Sequence, residues 1–229
     1  MADPEQERPA LLFDLDGTLV DSVYQHVLAW HEALLEARIE LSVWRIHRRI
    51  GMSGGLFLNA LMRETGIALT PEQAAHLRDL HDSVYVRQMG QVRPLPGATR
   101  LLTRLTELAV PWAIATSGNV KTATPAIEML RVPVKVVITR DDVVHAKPDP
   151  DLFLKAAERL GVSITHSIVV GDSVWDLLAA QRARAMGVGL LSGGYGREEL
   201  QQSGAYRVYA DPADLDQHLD EIGVRSSPS

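Results

Sequence analysis

The chain has 229 residues, a formal net charge of -6 and 46% hydrophobic residues, with a mean hydropathy near zero. That is enough material for one large domain or a core with a smaller insert, and it excludes a disordered or membrane-spanning chain. The absence of cysteine excludes disulfides and thiolate metal sites, and the acidic balance argues against nucleic-acid and membrane partners, leaving a small basic patch at His47, Arg48 and Arg49.

In chain order, the polar, acidic start MADPEQERPA lacks the basic and apolar regions of a signal peptide, so the expected address is the cytoplasm. ALLFDL (10–15) reads as a buried parallel strand. It places Asp14 and Asp16 on one side of an extended chain, where like charges repel, before Gly17 and Thr18 turn the chain away. From Asp21 to Met89 no strand pattern follows. Val23, Val27, Trp30, Leu34 and Leu35 form one face of a helix, with Asp21 expected as its cap. IGMSGG (50–55) joins helices, and Thr70-Pro71 with Glu72 and Gln73 reads as the capped start of another. RPLPG (93–97) marks the end of this helical insert. Beyond it, helices at 98–109, 120–130, 151–160 and 175–185 alternate with strands PWAIAT (111–116), VKVVIT (134–139), HSIVVGD (166–172) and one starting at about Val188. Such alternation implies an α/β fold with a doubly wound, Rossmann-like parallel sheet.

Ligand sites in such sheets form beyond the carboxyl ends of the strands. The first strand delivers Asp14 and Asp16 there, the second Thr116, Ser117, Gly118 and Asn119, the segment after the third Lys147, and the fourth Asp172 and, one helical turn later, Asp176. Three carboxylates in one pocket need a cation, and a hard divalent ion held together with a substrate phosphate is the Mg²⁺ pattern. The Ser-Gly-Asn turn suits an anion, and Lys147 adds a positive point charge.

FDLDGT (13–18), ATSGN (115–119), AKPDP (146–150) and VVGDSVWD (169–176) resemble, in order, the four motifs of the haloacid dehalogenase-like (HAD) hydrolase superfamily. The insert is similar to the helical cap of the subgroup that includes phosphoglycolate phosphatase and β-phosphoglucomutase. The resemblance implies a Rossmann-like catalytic core at 1–20 and 91–229 and an all-helical cap domain at 21–90. It implies a Mg²⁺-dependent phosphatase acting on a small phosphomonoester, phosphoglycolate- or sugar-phosphate-like, as a monomer or homodimer. Asp14 would be the nucleophile and form an aspartyl-phosphate; Asp16 would be the general acid and base, so Asp14 is expected ionised and Asp16 protonated at the outset. Mg²⁺ would be held by the Asp14 carboxylate, the Asp16 carbonyl and Asp172, with Asp176 nearby, directly or through water. Thr116, Ser117, Gly118, Asn119 and Lys147 would hold the transferring group. His26 and His81 resemble cap positions that face the site, and Arg49 and Ser53 would touch the substrate. Within the superfamily, Asp16 with Asp172 disfavours a dehalogenase. The lack of any lysine before Lys121 disfavours a phosphonatase. A phosphosugar mutase is the runner-up, since His81 and Gly54 stand near where it expects a lysine and an arginine. A catalytically idle binding protein would have lost the nucleophile or a metal carboxylate, and this chain keeps both.

Overall fold

The computed structural model describes residues 9–225. Its central strand, β1 (Ala10–Phe13), is buried along its whole length and is flanked in parallel by β4 (Trp112–Ala115) and β6 (Ser167–Gly171). The edges are completed by β5 (Val137–Ile138) beyond β4, and by β7 (Met186–Leu190) and β8 (Ala205–Tyr209) beyond β6. All five pairings are parallel, in the order β5-β4-β1-β6-β7-β8. The chain builds outward from β1 on one side and then crosses to the other, so the crevice above β1 is a topological switch point.

Alternation along β1 shows why helices cover both faces. Leu11 and Phe13 join one core with Leu101, Leu102 and Leu105 of α5 (Ala98–Glu107) and Leu215 of the short helix Pro212–Gln217. Leu12 joins the opposite core with Leu152, Phe153 and Ala156 of α7 (Asp151–Leu160) and Ala179 and Ala180 of α8 (Val174–Ala183). A period of two with both faces apolar leaves no side open to water. The doubly wound α/β core is therefore as expected.

Between β2 (Val20–Asp21) and β3 (Arg93–Pro94) lie four helices: α1 (Val23–Glu36), α2 (Val43–His47), α3 (Gly54–Thr65) and α4 (Pro71–Gln88). They close around their own core of Val27, Trp30, Leu34, Phe57, Leu61 and Leu77. Thr70 and Gln73 form the reciprocal capping box at the start of α4.

Several local expectations are corrected. Segment 134–139 is regular only at Val137–Ile138, because it forms an edge that pairs with β4 alone. β7 starts at Met186 rather than Val188: Gly187 and Gly189 are accepted because Leu177 and Leu200 fill the space their side chains would take. β8 was not anticipated; only its last two residues are buried. The return segment is more than a linker, since Arg93 and Pro94 pair antiparallel with Asp21 and Val20. Asp21 is exposed in β2, and Ser22 takes the N-cap position of α1. Leu35 turns outward at 49% exposure while the other four residues of that stripe are buried.

Candidate active site

Three carboxylates, from Asp14, Asp172 and Asp176, each offer an oxygen within 4.8 Å of the others, and all three residues are buried. Asp14 follows β1, where its N–H donates to the Val170 carbonyl at 2.9 Å. Asp172 follows β6, and Asp176 sits in the first turn of α8, where Ser173 donates to it from both its backbone N–H (3.1 Å) and its hydroxyl (2.6 Å). Lys147 reaches the trio fully buried, bonded to Asp14 and 2.8 Å from Asp176 Oδ1.

The position of Asp172 depends on glycine. A Cβ on Gly17, whose φ is +82°, would stand 2.5 Å from Asp172 Oδ2, and one on Gly193 only 1.7 Å away. Into that slot Thr18 donates its hydroxyl to Asp172 Oδ1 at 2.8 Å, so Thr18 is more than a turn residue.

One ammonium does not neutralise three buried carboxylates. Burial, together with Asp176 and Asp16, pushes the Asp14 carboxyl up to about 7 although Lys147 pulls the other way. Burial, then Asp176 and Asp14, push Asp172 well above the usual carboxylate range. For Lys147, burial opposes the charge, but Asp14 and Asp176 overcome it and raise the ammonium above its ordinary value. An all-oxygen set with surplus negative charge is the donor chemistry a hard divalent cation requires.

The loop after β4 supplies the neighbouring anion-binding chemistry. Thr116 N–H bonds the Ile138 carbonyl at 2.9 Å, and Thr116 Oγ1 accepts from Gly118 N–H at 3.0 Å. Among the described residues Ser117 Oγ has no hydrogen-bond partner although it is buried, a state that costs free energy unless a ligand meets it. Asn119 is occupied on both sides: its Oδ1 caps α6 (Val120–Glu128) by accepting from Thr122 N–H at 3.1 Å, and its Nδ2 donates to Asp82 Oδ2 at 2.6 Å.

Asp16 faces the helical insert. Its Oδ1 accepts from Ser22 (2.6 Å) and Tyr85 (3.3 Å) and lies 3.1 Å from His26 Nε2. From there the contacts continue from His26 Nδ1 to His81 Nε2 (3.1 Å) and from His81 Nδ1 to Asp82 Oδ1 (3.0 Å). Asp82 then bonds Asn119, so the chain of contacts leaves the core and returns to it. Burial works to raise Asp16, but His26, with hydrogen bonds from His26, Ser22 and Tyr85, holds it below its ordinary value. The two aspartates move in opposite directions because Asp14 is crowded by carboxylates while Asp16 is surrounded by donors. Burial drives His81 down to about 4 despite Asp82.

A cavity of about 580 Å³ opens over these groups, lined by Asp14, Asp16, Thr116, Ser117, Gly118 and Asn119 on the core side and by His26, Ser53, His81 and Arg49 on the other. Lys147, Asp172 and Asp176 are buried beside Asp14. Two cap residues have their polar groups engaged. Arg49 is held by Glu64 and by the Arg45 carbonyl at 2.7 Å, and Ser53 accepts from Leu56 N–H at the start of α3. The rest of the basic patch joins the insert to the core. His47 Nε2 is 2.8 Å from the Gly193 carbonyl, and Arg48 pairs with Glu199 at 2.5 Å and lies over the Tyr195 ring.

Ser22, Tyr85 and Asp82 were missed at the level of sequence. Tyr85 and Asp82 had a faint signal: they share one face of α4 with His81, at spacings of three and four residues.

A doubly wound parallel sheet with a buried acidic centre at its switch point is an α/β fold carrying a candidate ligand site where such folds place one. The family model described as haloacid dehalogenase-like hydrolase matches residues 9–184, and the chain belongs to that family. It is similar to hexitol phosphatase A of Escherichia coli (30% identity, covering 75% of this chain and 78% of the relative). It is equally similar to phosphoglycolate phosphatase of Rhodospirillum rubrum (30% identity, covering 90% and 88%). Among solved structures, a hydrolase from Pseudomonas syringae is 53% identical and superposes with a TM-score of 0.93 over 95% of this chain and 100% of its own.

Proposed function

We propose that the protein is a Mg²⁺-dependent phosphatase that hydrolyses a small phosphomonoester, phosphoglycolate- or sugar-phosphate-like, through an aspartyl-phosphate at Asp14. The observation that carries this reading is the buried Asp14–Asp172–Asp176 trio, with Lys147 bonded to Asp14 and Asp176, and a buried Ser117 hydroxyl that has no partner among the described residues and lines the same cavity as Asp14. The phosphatase names of the relatives agree with it.

An Asp14 carboxylate oxygen attacks phosphorus as the bond to the ester oxygen breaks, and Asp16 gives the leaving oxygen its proton. The entering phosphate supplies that change in Asp16: a dianion beside it disfavours the carboxylate and raises its affinity for a proton. Asp16 then takes a proton from water as the water attacks phosphorus. The Asp14–phosphorus bond breaks, inorganic phosphate leaves and the Asp14 carboxylate is restored. Thr116, Ser117, the backbone at Gly118 and Asn119, and Lys147 hold the phosphoryl oxygens, so positioning and charge stabilisation carry most of the rate. Asp14, the Asp16 carbonyl, Asp172 and Asp176 would hold Mg²⁺, which when bound offsets the charge of the carboxylates and the phosphate. His26 orients Asp16 from α1. Residues 21–90 act as the cap that shuts water out, over a core of 1–20 and 91–229.

Phosphate release from a panel of sugar phosphates, 2-phosphoglycolate and 4-nitrophenyl phosphate tests the reading, with Mg²⁺ and with EDTA. Release is expected only with Mg²⁺, and a phosphorylated Asp14 should appear by mass spectrometry after acid quench. Equal rates for the native protein and Asp14→Ala would overturn it. Conversion of a β-sugar 1-phosphate to its 6-phosphate without free phosphate would replace it with the mutase reading.

A further inference from the structure

Three arginines line the cavity: Arg49, Arg78 and Arg140. Two are committed, Arg49 to Glu64 and the Arg45 carbonyl, and Arg140 to the Val143 carbonyl at 2.6 Å. Arg78, on α4, is half-buried, and among the described residues no hydrogen bond, ion pair or ring contact engages it. Its natural partner one helical turn on, Asp82, has both oxygens taken by His81 and Asn119. The adjacent Asp79 also lines the cavity but is exposed, so water screens its charge.

Packing gives Arg78 a defined path into this space. A Cβ on Gly54 would meet Cγ and Cδ of Arg78 at 3.3 Å and the Trp30 ring at 3.2 Å. Glycine at that position leaves room for the arginine stem to lie along the cap loop. A guanidinium partly out of water with no acceptor is costly, and its planar fork matches carboxylate or phosphate. Asp14, Thr116 and Ser117 lie on the core side of the same cavity, so a substrate with its ester phosphate there extends its other end toward α4.

We propose that Arg78 is a specificity determinant that receives a second anionic group, a carboxylate or a phosphate, at the end of the substrate remote from the hydrolysed ester. This rests on the phosphatase reading and narrows it: acid-tailed phosphomonoesters are favoured over neutral sugar or polyol phosphates. Trp30 and Phe57, with ring centroids 4.3 Å apart and planes tilted by 30°, line the cavity and offer apolar walls and no competing charge.

The test compares kcat/KM for matched pairs: 2-phosphoglycolate against 2-hydroxyethyl phosphate for a carboxylate tail, and fructose 1,6-bisphosphate against fructose 1-phosphate for a phosphate tail. In the native protein at least one anionic member should exceed its neutral partner by about tenfold or more, the scale of a charge-assisted pair. The pair that shows it identifies the anion. Arg78→Gln should bring that ratio close to one, chiefly through KM, and Arg78→Lys should restore part of it. A native ratio near one, a preference for the neutral members, or a ratio unchanged in Arg78→Gln overturns the proposal. Hydrolysis of 4-nitrophenyl phosphate separates the two levels. Activity there without an anionic preference removes only the role of Arg78, whereas inertness toward every ester removes the phosphatase reading and this inference with it.

Discussion

Lys147→Met removes the only cation that, among the described residues, is bonded to the acidic trio, while keeping a long apolar stem. The lysine is fully buried, with Nζ bonded to Asp14, 2.8 Å from Asp176 Oδ1 and 5.1 Å from the centre of the Phe153 ring. Methionine keeps the packing on Phe153 and leaves the carboxylates without their counter-charge. Breaking a buried pair in this way costs about 3–5 kcal/mol, which for a chain of this size is roughly 6–20 °C in Tm. The loss depends on pH. Asp14 is raised to about 7 in the folded state, against roughly 3.9 unfolded. The folded protein therefore keeps a proton that the unfolded chain gives up, and stability falls as pH climbs between those values. Without Lys147, which lowers Asp14, the folded value rises further, so the deficit of the variant should widen from about pH 5 to about pH 8. Thermal melts of both proteins in EDTA at the two pH values measure this, and added Mg²⁺ should recover part of the loss at the higher pH. An equal deficit at both pH values would refute the electrostatic account of the trio.

Three further outcomes are expected. Gly193→Ala puts a methyl group 1.7 Å from Asp172 Oδ2; the Mg²⁺ concentration for half-maximal activity should rise about 10- to 100-fold, and an unchanged titration would contradict the slot described for Asp172. Thr18→Val removes the hydroxyl donor to Asp172 and should cost about 1–3 kcal/mol in denaturant melts; a change under a few tenths would mean that the bond contributes nothing. Asp82→Ala leaves His81 Nδ1 and Asn119 Nδ2 without their acceptor. It should lower the melting temperature and, by loosening the contacts behind His26, reduce kcat more than it changes KM.

The parts of the fold legible from sequence were those governed by local pattern. ALLF and SIVVG are buried on both faces, and short, largely apolar runs alternating with helical segments are the pattern of strands inside a parallel sheet. The strand AYRVY was not legible because its first three residues are partly or fully exposed, which gives neither an apolar run nor a clean alternation. In the site, the Asp, Lys and Ser-Gly-Asn positions stood out because each falls at a strand end or in the segment that follows one. The partners of Asp16 did not. Ser22 takes the N-cap position that the sequence pattern gives to Asp21, and its hydroxyl goes to Asp16 rather than to the helix. Tyr85 lies 69 residues further along the chain, so only the packing of α4 brings it there. The downward shift of Asp16 was not legible for the same reason: against burial it is set by His26, Ser22 and Tyr85, which arrive from the insert, and spacing along one strand carries no trace of them.

Arg78, His81, Asp82 and Tyr85 fall at successive turns on a single face of α4. On the proposed reading the first meets the remote end of the substrate, while the others hold Asp16 through His26 and directly. Substrate choice and proton transfer would then be inherited together on one helix. An engineer who grafts the helical insert of a relative to change specificity exchanges the support of Asp16 in the same operation. Grafts that retain residues 81, 82 and 85 of this chain should keep turnover, and those that replace the whole face should need their own partner for Asp16.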